Sequence, residues 1–189
     1  MFERKIFLSY KYMDNDVRAL PDVVSPTWPC NYANYLCQYF LSREITYKCN
    51  QQDLDLSRMS NNRIEQSVFS RMEDSDMTIV LVSPNMKLHY KKERNQWIPW
   101  HVYCSLLKRK RRDGSHYNNA VLALVLPDRN GDYGYYHQRN LFRIMDANIK
   151  NDFIVVCKWD DFAMDQEHFL KKAVEYQRGT PDVYLDKRI

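Results

Sequence analysis

Five short apolar segments, each followed by polar or turn-forming residues, constrain the fold of this chain more than any other feature. The clearest are the continuous runs 77–82 and 120–126, and three shorter segments lie at 5–10, 45–49 and 153–157. Continuous apolar runs of this length are expected of parallel strands buried on both faces of a sheet. Segments with helical spacing separate them, so the pattern predicts a three-layer α/β domain with a five-stranded parallel sheet, a flavodoxin-like arrangement.

The helical segments are predicted from the spacing of apolar side chains and from capping signals. They cover residues 31–40, a segment that starts at the N-cap Ser60 and carries Met72, residues 96–107 with Pro99 in the first turn, and residues 166–177. A length of 189 residues suits a single domain over 1–189, with a core at about 4–177 and a short C-terminal extension.

Charge and cysteine content limit the classes of partner. The formal net charge of +4 is weak, so no nucleic-acid partner is expected. The dense basic run 108–112 is either a patch for an anionic partner or a solvated helix end, and the second interpretation is favoured. Five cysteines without a CxxC pair predict no metal site. The absence of a signal peptide and of a long apolar run predicts a cytoplasmic protein without a membrane partner.

Ligands of open parallel sheets bind beyond the carboxyl ends of the strands, which directs attention to the residues that follow each strand. These residues are 9–14, 50–60, 83–87 and 128–136.

Three blocks of the sequence resemble bacterial TIR-like domains, a family that includes the TIR proteins of Thoeris anti-phage systems. The blocks are Phe7-Leu8-Ser9-Tyr10-Lys11-Tyr12 with Asp14, the segment 75–87, and Gln96-Trp97-Ile98-Pro99-Trp100. The resemblance spans about residues 4 to 160, because the segment 120–136 fits the fourth strand of the family. It implies cleavage of the nicotinamide–ribose bond of NAD, with cyclisation or conjugation of ADP-ribose into a signal in some members. NAD would be the substrate, and no permanently bound cofactor is expected.

The family's catalytic glutamate directly follows the Trp-Ile-Pro-Trp motif, and this chain has His101 there. A carboxylate stabilises the positive charge that develops on the ribose, whereas a neutral imidazole brings no negative charge. Three interpretations are open. The site has degenerated into a binding scaffold, His101 performs altered chemistry with a carboxylate from Asp14, Asp53, Asp55 or Glu93, or His101 is an introduced substitution.

The resemblance also implies a set of binding residues around His101. Ser9 is expected to bond a ribose or phosphate oxygen, Tyr10 or Tyr12 to stack on a base, and Lys11 to meet a phosphate. Asp14 also belongs to this binding set; from the residues alone it either orients the loop or caps a turn, and capping is favoured. Ser57 lies in the segment 53–57, where the family has a loop for self-association and cleft gating.

Trp97 and His101 are four residues apart, so they share one face of the predicted helix. Trp97 is expected to line the nucleotide pocket, whereas Trp100 is expected to pack on the sheet. Cys104 also follows on this face, but a Cys–His nucleophilic pair is disfavoured because helical geometry sets the two side chains side by side.

The sequence therefore predicts an NAD-processing TIR-like protein of bacterial anti-phage defence. It would bind NAD or an ADP-ribose-type nucleotide, self-associate through TIR surfaces and reach a downstream effector protein through its signal molecule. The alternative is a catalytically impaired TIR-like module for nucleotide binding or protein assembly. A receiver-type domain is disfavoured because Ser83-Pro84-Asn85 ends the third strand where a phosphoacceptor aspartate would be needed.

Overall fold

The computed structural model describes residues 5–42, 47–49, 69–111, 114–137, 140–179 and 182–185. Several predictions lie outside these ranges: the loop 50–61 with Asp53, Asp55 and Ser57, and the start of the helix predicted from Ser60. Residues 69–73 are helical and Met72 is buried, as expected for the last turns of that helix.

Parallel strands form the centre of the fold. In chain order the strands are β1 (Ile6–Ser9), β2 (Tyr47–Cys49), β3 (Met77–Val82), β4 (Arg109–Lys110), β5 (His116–Tyr117), β6 (Ala120–Val125) and β7 (Ile154–Lys158). The main sheet has the order β2-β1-β3-β6-β7, and every pair of neighbours in it is parallel. The predicted α/β class with a parallel sheet is confirmed, and the strand order is compatible with a flavodoxin-like fold.

The helices cover this sheet. They are α1 (Pro29–Ser42), α2 (Trp97–Leu106), α3 (Arg143–Lys150), α4 (Trp159–Met164) and α5 (Gln166–Gly179). The predictions for α1, α2 and α5 are confirmed, although α1 begins two residues earlier than expected. Pro29 is tolerated there because the backbone N–H groups in the first turn of a helix have no partner within the helix. The Asn31 carboxamide oxygen accepts the Trp28 N–H at 2.8 Å and so stabilises the start of α1.

Alternate side chains of the buried strands enter two different cores. On one face, Ile79 and Leu81 pack with Leu36 of α1 and Leu170 of α5. On the other face, Val80 and Val82 pack with residues of α2 and α3. Because strand side chains alternate between the two faces of a sheet, continuous apolar runs were needed to fill both cores.

The favoured interpretation of the basic run was wrong. Helix α2 ends at Leu106, and Arg109 and Lys110 form the antiparallel pair of β4 with β5. The Arg111 guanidinium donates to the carbonyl oxygen of Ser75 at 2.8 Å and to the side-chain oxygen of Asn119 at 2.7 Å. A hairpin forms here because these long-range contacts hold the run against the sheet.

The C-terminal extension contacts α3. The Asn148 side chain donates to the Tyr184 carbonyl oxygen at 2.8 Å and accepts the Tyr184 N–H at 2.9 Å. None of the helices in the described ranges combines the length and the apolar character required to cross a bilayer.

Candidate functional site

Helix α2 places His101 beneath Trp97 at the carboxyl side of the sheet. The two rings stack with centroids 6.2 Å apart and planes at 29°, so their predicted common face is confirmed. Trp97 is 44 % exposed, whereas His101 is only 2 % exposed. The Phe7 ring meets the imidazole edge-on at 5.4 Å and Trp100 lies 5.6 Å from it. His101 is therefore enclosed by aromatic rings.

The imidazole of His101 is hydrogen-bonded to the last residue of β1. Its Nδ1 atom lies 2.9 Å from the Ser9 hydroxyl, and Ser9 is fully buried. Burial lowers the pKa of His101 to about 3, because the charged imidazolium cannot be solvated in this enclosure. At neutral pH the residue is thus an uncharged ring that offers one donor and one acceptor.

A chain of buried polar side chains fixes α2 on the sheet behind His101. The Ser105 hydroxyl donates to the His101 carbonyl oxygen at 2.8 Å and lies 2.7 Å from the Thr78 hydroxyl. The Asn119 amide donates to the Thr78 hydroxyl at 3.2 Å. Because the Ser105 hydroxyl donates its proton to the His101 carbonyl oxygen, it can only accept from Thr78. The Thr78 hydroxyl therefore donates to Ser105 and accepts from the Asn119 amide. Each hydrogen bond in this series thus donates in the direction of α2.

The residues that follow β1 and β3 are tied together. The Asp14 carboxylate accepts the backbone N–H of Asn85 at 2.7 Å and its side-chain amide at 3.0 Å, and it also accepts the Asp16 N–H at 3.2 Å. The Lys11 ammonium group donates to the Asn85 carbonyl oxygen at 2.8 Å. Asp14 thus caps a turn, as favoured from the sequence, and joins the two loops at the carboxyl edge of the sheet.

The other predicted binding residues occupy different environments. Tyr10 is 3 % exposed and belongs to the core between the sheet and helices α1 and α5. Tyr12 is 43 % exposed, with its ring 6.3 Å from that of Trp28. Ser57 lies outside the described residues. Of the predicted aromatic contacts, Tyr12 and Trp97 are therefore open to a ligand, and their binding roles stay predictions.

Cys104 does not form a nucleophilic pair with His101. Its side chain packs in a small buried cluster with Phe7 and Met72, at 3 % exposure. Burial raises the pKa of the Cys104 thiol to about 11, although the nearby Arg109 acts in the opposite direction. The thiol is therefore protonated and unreactive at neutral pH.

Sequence reasoning missed two features at the carboxyl edge. The Ser83 hydroxyl at the end of β3 is buried and has no hydrogen-bond partner in the part of the chain that the structure describes. A cavity of about 610 Å³ lies at the ends of β6 and β7, with Tyr133, Tyr136 and Lys158 in its wall. The sequence indicated this region only through the position of 128–136 directly after a predicted strand.

The wall of this cavity is held by an ion pair. The Arg18 guanidinium contacts the Asp160 carboxylate at 2.5 and 3.3 Å, and the Tyr133 hydroxyl donates to the same carboxylate at 2.8 Å. This arrangement keeps the pKa of Asp160 below its usual value. Within the described ranges no group of three or more His, Cys, Asp or Glu side chains is arranged to hold a metal ion.

A comparison with models of known protein families finds none that matches this chain.

Proposed function

We propose that the chain is a TIR-like domain that binds an NAD-type nucleotide at the carboxyl edge of β1 and β3 without cleaving the nicotinamide–ribose bond. The order of the parallel strands and the polar residues beyond β1 and β3 support nucleotide binding at this edge. In this proposal the domain serves bacterial anti-phage defence as a nucleotide-binding or assembly module.

The pairing of His101 with Ser9 carries the proposal. His101 occupies the position where the resemblance implies a carboxylate, and it is buried, neutral and bonded to Ser9 at 2.9 Å. A neutral ring cannot balance the positive charge of an oxocarbenium-like ribose, and loss of one electrostatic stabiliser costs about 100-fold to 1,000-fold in rate. The Ser9 hydroxyl, expected to bind ribose or phosphate, is already engaged.

The described carboxylates that were considered as substitutes have other partners. Asp14 is 4 % exposed and accepts hydrogen bonds from Asn85 and Asp16. Glu93 forms an ion pair with Lys87 at 2.6 Å and accepts the Arg143 N–H at 3.0 Å. Both carboxylates stabilise loops, which favours a site without a catalytic acid over altered chemistry.

Several groups at this edge are suited to nucleotide binding. The exposed rings of Tyr12 and Trp97 offer faces for stacking on a base, and Lys11 is a cation beside the Asn85 turn. The buried Ser83 hydroxyl lacks a partner within the described residues, and an unsatisfied buried hydroxyl costs about 1–3 kcal/mol. A ligand oxygen that reached Ser83 would recover this free energy.

Binding and turnover are tested separately. Calorimetry with NAD and with ADP-ribose measures binding to the unchanged protein, and Trp97→Ala should weaken it. Chromatographic assay of nicotinamide release measures turnover. The matched variants are His101→Glu, which supplies a carboxylate, and His101→Gln, which has the same size without the charge.

We expect binding without nicotinamide release by the unchanged protein, and release by His101→Glu but not by His101→Gln. Steady release by the unchanged protein would establish the enzymatic alternative and contradict the proposal. Absence of binding to both nucleotides would contradict the binding half. Circular dichroism tests whether His101→Glu is folded. If it is not folded, binding and nicotinamide release by the unchanged protein decide between the proposal and the enzymatic alternative.

A further inference from the structure

The segment between β3 and α2 forms an ordered basic loop, which we define as residues 88–96. The Gln96 side chain closes it: its oxygen accepts the Leu88 N–H at 2.9 Å, and its amide donates to the carbonyl oxygens of Leu88 and Lys91, each at 3.0 Å. The Lys91 N–H also donates to the Leu88 carbonyl oxygen at 3.0 Å. The basic loop is therefore held in one conformation by its own hydrogen bonds, and a partner would not have to order it.

The charge of the basic loop is not balanced locally. Its one carboxylate, Glu93, is neutralised by the Lys87 ammonium at 2.6 Å, and it also accepts the backbone N–H of Arg143 at 3.0 Å. The exposed cations Lys91, Lys92 and Arg94 form no ion pair with any residue that the structure describes. Three cations within four positions give a concentrated positive potential, which the small net charge of the whole chain conceals.

Aromatic side chains lie within and beside these cations. Tyr90 is 81 % exposed, between the turn at Leu88 and the cations. Trp97 directly follows the basic loop, at 44 % exposure. Covering the exposed tyrosine ring with an apolar or aromatic group of a partner would be favourable. Cations next to exposed aromatic faces are the combination that binds single-stranded nucleic acid, in which phosphates meet the cations and bases stack on the rings.

We propose that the basic loop binds single-stranded nucleic acid through Lys91, Lys92 and Arg94, with a base stacked on Tyr90. This inference is independent of the proposed action on NAD. Stacking tolerates any base, so little sequence preference is expected. In a duplex, stacking between neighbouring base pairs covers the faces of the bases, so duplex binding should be weaker.

The hairpin β4–β5 supplies a matched control. Lys108 and Lys110 are exposed on it, so a pair of charges can be removed there as well as from the basic loop. In contrast, Arg109 and Arg111 of the same run are held by carbonyl oxygens of Cys104 and Ser75. The hairpin thus offers two cations without the exposed tyrosine.

Fluorescence anisotropy with labelled oligo(dT) and oligo(rU) of about 15 nucleotides, near the upper end of the usual site size, tests this inference on the full chain. The measurement is repeated over a series of salt concentrations, because the slope of log K against log salt counts released counterions at about 0.7 per phosphate. Duplex DNA of the same length, phosphatidylserine vesicles and ADP-ribose are the comparison ligands.

The double variant Lys91→Gln/Lys92→Gln should bind more weakly, with a salt slope reduced by about 1.4. Tyr90→Ala should weaken binding by about 5-fold to 150-fold at an unchanged slope, since stacking is worth about 1–3 kcal/mol per base. The control Lys108→Gln/Lys110→Gln should retain the affinity and slope of the unchanged protein.

Three outcomes would overturn the inference: no binding of either oligonucleotide at low salt, an equal loss in the hairpin control, or binding of vesicles or ADP-ribose alone. All of these substitutions are at exposed side chains, so folding should be preserved. If Tyr90→Ala does not fold, the lysine variants still decide.

Discussion

The burial of His101 predicts a specific loss of stability in mild acid. The pKa of His101 is about 3 in the folded protein, against 6.5 for an unperturbed histidine. Between these values the unfolded chain binds a proton that the folded chain does not, so stability rises with pH in this window and falls as the pH is lowered from about 6.5 towards 3. The effect is about 1.4 kcal/mol per pH unit. Between about pH 7.5 and pH 5 the contribution of His101 therefore falls by about 2 kcal/mol.

The assay compares the unchanged protein with His101→Gln, which keeps a polar side chain but does not titrate. Urea denaturation at pH 7.5 and at pH 5, followed by tryptophan fluorescence, gives the free energy of unfolding at each pH. The altered packing in His101→Gln will change the free energy of unfolding by the same amount at both pH values. The change with pH should be about 2 kcal/mol smaller in His101→Gln than in the unchanged protein. An equal change in both proteins would refute a buried, neutral His101.

Three further predictions concern the surroundings of this residue. Ser9→Ala leaves the His101 Nδ1 atom without its 2.9 Å partner and should cost about 1–3 kcal/mol in urea denaturation; a change under about 0.5 kcal/mol would contradict the contact. Asn119→Ala removes the hydrogen bonds to Thr78 and Arg111 and should lower the free energy of unfolding by about 2–4 kcal/mol; an unchanged free energy of unfolding would contradict these contacts. Cys104, with a pKa of about 11, should resist iodoacetamide at pH 8 until the protein is unfolded; rapid labelling of the native protein, located by mass spectrometry, would contradict its burial.

The strands of the main sheet were predictable because buried parallel strands require continuous apolar runs. The segments 77–82 and 120–126 carry this signal. The first agrees with β3 at both ends, whereas β6 ends one residue before the predicted end, at Val125. Helices α3 and α4 were not predicted. Helix α4 has only six residues and starts directly after β7, so its sequence shows less than two turns of any periodicity.

The environment of the candidate site was less predictable than its position. Helical spacing indicated that Trp97 and His101 share a face, but not that one ring covers the other. The burial of His101 depends on Phe7 and Ser9, which lie more than 90 residues away in the chain. The basic run was misassigned for a related reason, because its hairpin depends on carbonyl oxygens of distant segments, such as that of Ser75.

The proposal of a TIR-like cleft without a catalytic carboxylate is tested most directly by a single-turnover assay of nicotinamide release, with the unchanged protein in excess over NAD. Excess protein removes any limit from product release, so the assay reports the cleavage step itself. The buried, neutral His101 predicts release at the rate of a blank without protein, while calorimetry shows the nucleotide bound. Conversion of the bound NAD to nicotinamide within the assay would contradict the account.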